Sequence, residues 1–192
     1  AYYLITQLDV VTARFEDQGT KIIRELAEED ILKTAASVAS QVKLYLEAHP
    51  ELTKEQFMSD DRLKGIIIQK VGETGYTALN EKGDDGKWRT WAHIREDVCA
   101  PHLDDMAKLK KPLKESFEGF WSVLTGVQPG KPSHGYYKWQ EDDATLKDKY
   151  MVSVNVPGTP YNISATTYIG EFILPMARLG NESRALAQEV KY

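Results

Sequence analysis

The sequence predicts an α+β fold in which a long N-terminal helix precedes an antiparallel sheet of five strands with helices on its faces. The first observation is helical periodicity over residues 1–49, a stretch without proline and with a single glycine. The second is a series of five short segments after residue 75, rich in aromatic and β-branched residues and bounded by turn sequences. Such connections favour antiparallel pairing, and the resulting sheet is buried against helices.

The composition limits the classes of protein that the chain can represent. Its 192 residues carry 24 Lys and Arg against 29 Asp and Glu, a formal net charge of −5. Nucleic acid is not an expected partner, because binding to a phosphate backbone needs a surplus of basic residues. Cys99 is the only cysteine, so no disulfide can form within the chain. No apolar run approaches the roughly 20 residues of a membrane helix.

The N-terminal helix is predicted from apolar residues at spacings of three, four and seven over residues 4–26 and again over residues 31–45. The phase breaks between the two series, so the apolar stripe changes direction near Asp30. A continuous helix of this length would measure roughly 70 Å at about 1.5 Å per residue. Because that is more than a small domain covers, we expect its first part to project or to pack on a partner. Pro50 should end it.

The next elements are a short helix and a hairpin. Thr53 and Gln56 form a capping-box pattern that predicts a helix running towards Gly65. Turn sequences at residues 72–75 and 83–86 delimit strands at 76–80 and 88–94. Alternation along the second of these strands would place Trp91, His93 and Arg95 on one face.

The second half of the chain continues with a helix, three strands and a last helix. Residues 103–127 have helical spacing, which Pro112 must bend or restart. Strands follow at about 135–141, 149–156 and 161–169, separated by an acidic turn and by the Pro157-Gly158-Thr159-Pro160 turn. Pro175 is expected to open the final helix. The helix of residues 103–127 connects the second and third predicted strands, and a pocket would lie between this helix and the sheet.

Motifs for catalysis, cofactors and metals are absent from the sequence. Residues 129–133 lack the glycine spacing of a phosphate-binding loop, and no dinucleotide, zinc-protease or serine-nucleophile motif occurs. Cys99 and His102 have metal-like spacing, but two ligands without a second pair fall short of a zinc site. We therefore expect no enzymatic activity, no cofactor and no metal in this chain.

The strand segments concentrate aromatic residues with a few polar groups among them. This is what a small-molecule pocket needs, because rings bury area while OH and NH groups orient the ligand. The same rings could instead fill a core beneath the helices, and the sequence does not separate the two interpretations. The candidate ligand-binding residues are Tyr76, Trp91, His93, Arg95, Tyr137, Trp139, Tyr150, Thr166 and Tyr168.

Several motifs in a fixed order resemble those of the Cache family of sensor domains. They are residues 71–76 (VGETGY) with the hairpin and His93 after them, residues 137–139 (YKW), Lys149 with Tyr150, and residues 157–159 (PGT) followed by residues 165–169 (ATTYI). The similarity spans about residues 60–172, and the preceding long helix also fits it. Three features depart from the family pattern. Ile94 follows His93 where proline is usual, and Thr167 directly precedes Tyr168 without the usual glycine. Glu171 is the only acidic residue in the three positions after Tyr168, where the family commonly has more than one.

The resemblance implies a single PAS-like extracytoplasmic sensor module, set between two membrane helices of a sensor histidine kinase. A chemoreceptor or a cyclic-dinucleotide enzyme is the alternative parent protein. On this interpretation residues 1–50 are a helix that starts near the membrane, residues 51–172 are the sensor module, and residues 173–192 lead towards a second membrane helix.

The resemblance also carries expectations about location and partners. The parent protein would lie in the cell membrane, form a homodimer through the N-terminal helix and bind a small molecule whose identity the sequence does not give. The contacts that the resemblance implies are Trp91, His93, Tyr137, Trp139 and Thr166. A ligand-free dimerisation or interaction module, using the apolar stripe of residues 4–26, is the other interpretation.

Overall fold

The computed structural model describes residues 2–140 and 145–174, and among residues 2–16 it describes the side chains of Ala13 and Arg14 alone. It confirms the α+β class, with a long N-terminal helix and an antiparallel sheet with helices. The chain divides into two compact units. Residues 30–168 form the larger one, and the helix before Asp30 belongs to the other together with residues 169–174.

The described elements follow the expected order. The helices are α1 (Tyr2–Ala48), α2 (Asp61–Ile67), α3 (Lys110–Leu113) and α4 (Ser116–Thr125), with short 3₁₀ turns at Lys54–Gln56, Glu96–Val98 and Met106–Leu109. The strands are β1 (Lys70–Val71), β2 (Gly75–Lys82), β3 (Trp88–Ala92), β4 (Ser133–Gln140), β5 (Leu146–Asn155) and β6 (Tyr161–Tyr168). The five predicted strands are all present, and β1 is a sixth strand too short for its pattern to be recognised in the sequence.

The sheet is antiparallel throughout its described strands and is ordered β1-β2-β6-β5-β4, with β3 also paired to β2. The last strand, β6, therefore lies in the middle of the sheet. Its Thr166 is opposite Tyr76 of β2 on one side and Met151 of β5 on the other. On the next pair of strands, Tyr137 of β4 is opposite Lys149 of β5. These registers bring side chains from four strands onto one area of the sheet.

The part of α1 in the larger unit confirms the predicted apolar stripe. Ile31, Ala35, Val38 and Val42 are buried along one face of the helix, as their spacing requires. Ala36 and Ala39 of α1 line a surface groove together with Val154 of β5. Residues 129–132 also line this groove. In the smaller unit, the stripe residues Ile22 and Leu26 are 55% and 59% exposed.

Two predicted helices are interrupted. Gln56 accepts the N–H of Thr53 at 2.9 Å, as the capping box predicts, but the helical turn stops at Gln56. The chain restarts at α2, where the Asp60 carboxylate accepts the N–H of Leu63 at 2.8 Å. Asp60 is therefore the N-cap of a separate helix, which the sequence pattern did not predict.

The helix predicted over residues 103–127 consists of three pieces, and its main break is not at the proline. Pro112 lies within the first turn of α3, where backbone N–H groups have no acceptor within the helix. Its missing N–H therefore costs no helical hydrogen bond. The break falls at Lys114, whose φ of 48° is in the left-handed region. After it, α4 packs on β4 and covers one face of the sheet.

At the C-terminal side the chain leaves β6 at Tyr168 and is helical over residues 170–174. A helix thus begins before Pro175, and the predicted helix from Pro175 onward lies outside the described residues. No helix within residues 2–140 or 145–174 is both long and apolar enough to cross a membrane.

Candidate functional site

A small cavity of about 80 Å³ lies in the larger unit, between the sheet and the segment that contains α4. Met106, Leu109, Phe120 and Leu124 form its apolar roof, and side chains from five strands form its floor and walls. Six of the nine candidate residues line it: Tyr76, His93, Arg95, Tyr137, Trp139 and Thr166. The structure therefore brings most of the predicted set together, including residues 90 positions apart in the chain.

Trp91 lies on the other face of the sheet, away from the cavity. Its Nε1–H donates to Glu81 Oε2 at 2.6 Å, and Lys54 Nζ lies 3.1 Å from the same oxygen and 5.0 Å from the indole ring. The shared face expected for Trp91 and His93 does not occur, because β3 ends at Ala92 and strand alternation ends with it. Trp91 and Glu81 form a buried polar pair that joins β2 and β3 to the Lys54 turn.

Two further candidates also lie outside the cavity lining. Tyr150 points to the opposite face of β5, where its ring centre is 4.8 Å from that of Tyr136. Its carbonyl oxygen still supports the site, since it accepts the hydroxyl hydrogen of Thr166 at 3.0 Å. Tyr168 is opposite Lys149 in the register of β5 and β6 and contacts that residue rather than the cavity.

A chain of buried hydrogen bonds forms the polar floor of the cavity. Thr90 Oγ1 donates to Asn80 Oδ1 at 2.9 Å, and Asn80 Nδ2 donates to Ser164 Oγ at 3.0 Å. Ser164 is in turn 2.9 Å from Ser153 Oγ. Sequence reasoning missed these residues because small polar side chains are common in strands. The alternation Tyr76, Ala78, Asn80 along β2 is the signal that could have found Asn80.

Tyr137 joins the aromatic wall to this polar floor. Its hydroxyl is 3.0 Å from Thr166 Oγ1, and its ring lies edge-on to Phe120 and Trp139, with centres 5.9 and 6.1 Å away. Burial raises the pKa of the Tyr137 phenol well above its usual range, so the hydroxyl stays protonated. It is therefore a hydrogen-bonding group of the cavity and not a base.

Lys149 is the charged residue of the cavity that the sequence-based candidates did not include. It is only 5% exposed, although lysine is rarely buried. Three aromatic rings surround its ammonium group: Nζ lies 5.2 Å from the ring centre of Tyr76, 5.1 Å from Trp139 and 5.0 Å from Tyr168. Aromatic faces stabilise a cation electrostatically, and more so when water is excluded. The rings thus hold a positive charge at the cavity wall.

His93 and Arg95 follow β3 and close one side of the cavity. His93 Nδ1 accepts the backbone N–H of Arg95 at 2.9 Å, which places the proton of the neutral ring on Nε2. Burial lowers the pKa of His93 to about 4, and the positive charges of Lys149 and Arg95 act in the same direction. The Arg95 side chain is largely exposed and is held by Asp97, with Nη2 2.5 Å from Oδ2.

Cys99 is buried, and burial raises the pKa of its thiol to about 11, so it is not an activated nucleophile. Within the residues that the structure describes, no group of three His, Cys, Asp or Glu side chains could hold a metal ion.

The shape and charge of the cavity indicate what it can bind. Lys149 and Arg95 are cationic, and none of the described residues lining the cavity is acidic. A volume of about 80 Å³ is close to half of the ~150 Å³ that holds a benzene molecule in an engineered cavity. The guest would accordingly be smaller than benzene.

Neither a scan against models of known protein families nor a search of curated proteins gives a match for this chain. The described fold is an α+β unit with a small, aromatic and cationic cavity between its sheet and one covering helix.

Proposed function

We propose that residues 30–168 form a ligand-sensing unit that binds a small carboxylate, and that the chain is the extracytoplasmic input part of a membrane receptor similar to the Cache sensors. A sensor histidine kinase is the form that we favour, and a chemoreceptor is the alternative. The observation that carries the proposal is the cavity itself, which combines aromatic walls, a polar floor and the buried cation of Lys149.

The size of the guest follows from the cavity volume. Pockets for drug-sized ligands measure about 300–1,000 Å³, several times the volume of about 80 Å³ found here. A carboxylate of about four to six non-hydrogen atoms, such as acetate or propionate, is the class that suits this space. Larger organic acids would need the roof residues to move apart.

The charge of the guest follows from the lining. A carboxylate would meet the Lys149 ammonium within an environment from which water is largely excluded, where charge-assisted hydrogen bonds are stronger than in water. Asn80 and Thr166 supply amide and hydroxyl groups on the same floor. The apolar roof of Met106 and Phe120 would contact the short alkyl part of such an acid.

Signalling requires that binding favour one conformation over another. Lys149 supplies the link, because its ammonium group contacts both the cavity and the ring of Tyr168, the residue with which β6 ends. A carboxylate that draws Nζ towards the cavity would weaken the contact with Tyr168. A shift of Tyr168 would then be transmitted along the chain to the helical segment that starts at residue 170.

Thermal unfolding of the full chain with matched small molecules tests the proposal. Acetate and propionate should raise the midpoint in a concentration-dependent manner, because a ligand that binds only the folded state stabilises it. Acetamide and propionamide have the same shape without the charge and should have little effect. Carboxylates that give no stabilisation at ~10 mM, or amides that stabilise equally, would contradict the proposal.

Self-association is a second candidate function with its own observation. Ile22 and Leu26 lie one helical turn apart on α1, and each exposes more than half of its side chain. We propose that they contact a second copy of the chain in the receptor. Sedimentation of I22S/L26S beside L44S provides the test, since Leu44 is on the same helix and is 65% exposed. We expect a dimer that only the double variant dissociates. A wild-type chain that sediments as a monomer would contradict the proposal that this chain associates through Ile22 and Leu26.

A further inference from the structure

The hydroxyl groups of Thr166 and Tyr137 form hydrogen bonds whose directions are fixed by the geometry. Thr166 Oγ1 lies 3.0 Å from the carbonyl oxygen of Tyr150, and since a carbonyl oxygen can only accept, the single hydroxyl hydrogen of Thr166 is donated there. Tyr137 Oη lies 3.0 Å from the same Oγ1. Thr166 has no second hydroxyl hydrogen, so Tyr137 is the donor of this pair.

The oxygen of Tyr137 is consequently left as an acceptor. Within the part of the chain that the structure describes, Thr166 is the sole hydrogen-bond partner of the Tyr137 hydroxyl. Tyr137 lines the cavity and is only 6% exposed, so its side chain meets little bulk water. Because the phenol stays protonated, it accepts a hydrogen bond through the lone pairs of a neutral oxygen. A guest that carries an O–H or N–H donor would satisfy this oxygen.

This acceptor lies in the same part of the cavity as the Lys149 ammonium group. Thr166, the partner of the Tyr137 hydroxyl, is opposite Tyr76 in the pairing of β6 with β2. Lys149 Nζ lies 5.2 Å from the centre of the Tyr76 ring. Tyr137 and Lys149 are also opposite each other in the pairing of β4 with β5, which places their Cβ atoms about 4.5–5.5 Å apart. A guest of a few atoms can therefore reach the cation and the acceptor together.

We propose that the cavity selects 2-hydroxy monocarboxylates, with the carboxylate bound by Lys149 and the neighbouring hydroxyl donating to Tyr137 Oη. Glycolate is the smallest member of this class, and lactate adds one methyl group to it. Both fall within the range of about four to six non-hydrogen atoms that suits the volume of the cavity. The inference rests on the proposed function, since it names which carboxylates that same site prefers.

The charges around the cavity separate this class from the amino acids. An ammonium group could also donate to Tyr137, but it would lie beside the Lys149 cation. None of the described residues that line the cavity is acidic, so no carboxylate there would balance a second positive charge. A neutral hydroxyl donates without this repulsion. A hydroxyl is therefore the donor that suits the site.

Three probes of matched size test the inference. Propionate, glycolate and glycine have the same number of non-hydrogen atoms and differ only in the methyl, hydroxyl or ammonium group next to the CH₂ group. Calorimetric titration of the full chain at neutral pH gives their affinities. Glycolate should bind about threefold more tightly than propionate, a ratio that corresponds to one net neutral hydrogen bond. Glycine should bind roughly tenfold more weakly than glycolate, because its ammonium group lacks a counter-charge.

A pair of variants assigns the selectivity to Tyr137. Y137F removes the acceptor and keeps the ring, so glycolate affinity should fall to that of propionate or below it. Propionate affinity should stay within about twofold of wild type. Y161F is the matched control, because Tyr161 lies on the same sheet, packs on Phe57 with ring centres 5.3 Å apart and is not among the described residues that line the cavity. It should leave the ratio of the two affinities unchanged.

Two results would overturn the selectivity and leave the proposed function intact. One is a wild-type chain that binds propionate as tightly as glycolate or more tightly. The other is a Y137F variant in which the ratio of the two affinities equals that of wild type. This ratio is measured within one protein, so a lower stability of Y137F does not change its meaning. If none of the three probes binds, the proposed function fails together with the inference.

Discussion

The ammonium group of Lys149 lies 5.0 Å from the centre of the Tyr168 ring, so the buried cation of the cavity contacts the residue at which β6 ends. The same nitrogen faces Tyr76 of β2 and Trp139 of β4. One side chain on β5 therefore contacts three other strands. A guest that displaced the Lys149 ammonium group would change its contacts with all three strands.

Replacement of Lys149 should abolish most carboxylate binding. K149M retains the length and apolar stem of the side chain but removes the charge, and loss of a charge-assisted hydrogen bond corresponds to about 10–100-fold in affinity. Calorimetric titration with propionate is the measurement. K147M is the matched control, because Lys147 lies on the same strand and contacts the Tyr168 ring at 5.3 Å without lining the cavity. Equal affinity in both variants would contradict the assignment.

Trp91 should matter for stability and not for binding. W91F removes the indole N–H that the buried Glu81 carboxylate accepts, and K54M removes the cation paired with it. Each variant should lower the free energy of unfolding by about 1–3 kcal/mol, because a buried carboxylate loses a partner. Urea unfolding provides the measurement.

The control for this prediction is K82M, an exposed change next to Glu81 that should alter the free energy of unfolding by less than about 0.5 kcal/mol. Propionate affinity should be the same in W91F as in wild type, since Trp91 lies on the face opposite the cavity. A tenfold loss of affinity in W91F would place Trp91 in the binding site after all.

His93 should make the stability of the unit depend on pH. Its pKa is about 4 in the folded state against an ordinary value of 6.5. Between these values the unfolded chain binds the proton and the folded chain does not, so the free energy of unfolding decreases as the pH falls from 6.5 towards 4. At about 1.36 kcal/mol per pH unit, His93 contributes at most about 3 kcal/mol to this decrease.

H93F removes this titration, so its loss of stability across the same pH interval should be smaller than that of wild type. Urea unfolding of both proteins from pH 7 to pH 4 gives the comparison, and the carboxyl groups that titrate in both cancel in the difference. Parallel curves for the two proteins would show that the folded and unfolded states protonate His93 alike.

Two helical glycines should respond in opposite directions to alanine. A Cβ at Gly119 of α4 would lie 2.8 Å from Tyr137 Cβ, so G119A must push α4 away from β4. We expect a loss of about 1–3 kcal/mol in the free energy of unfolding. A Cβ at Gly65 of α2 meets nothing within 4 Å. G65A should therefore gain about 0.5–1 kcal/mol from helix propensity. A neutral G119A would mean that α4 tolerates a wider spacing, contrary to the close packing over the cavity.

Local patterns predicted much of this fold correctly. The stripe from Ile31 to Val42 is buried as expected, because helical spacing depends only on residues three and four positions apart. The five predicted strands are present for a similar reason. The errors lie where a single interaction outweighs the pattern: the Asp60 cap starts α2 anew, and the left-handed Lys114 interrupts the later helix.

The α+β class, the apolar face of α1 and the strands that carry the aromatic residues all follow from local sequence patterns. Which of those aromatic residues meet depends on the pairing of strands that are distant in the chain. Trp91 and Tyr150 face away from the cavity, whereas Lys149 lies within it among rings from β2, β4 and β6. The physical reason is that strand pairing and register join residues far apart in the chain. No local pattern specifies that β6 lies between β2 and β5, and that pairing is what assembles the cavity.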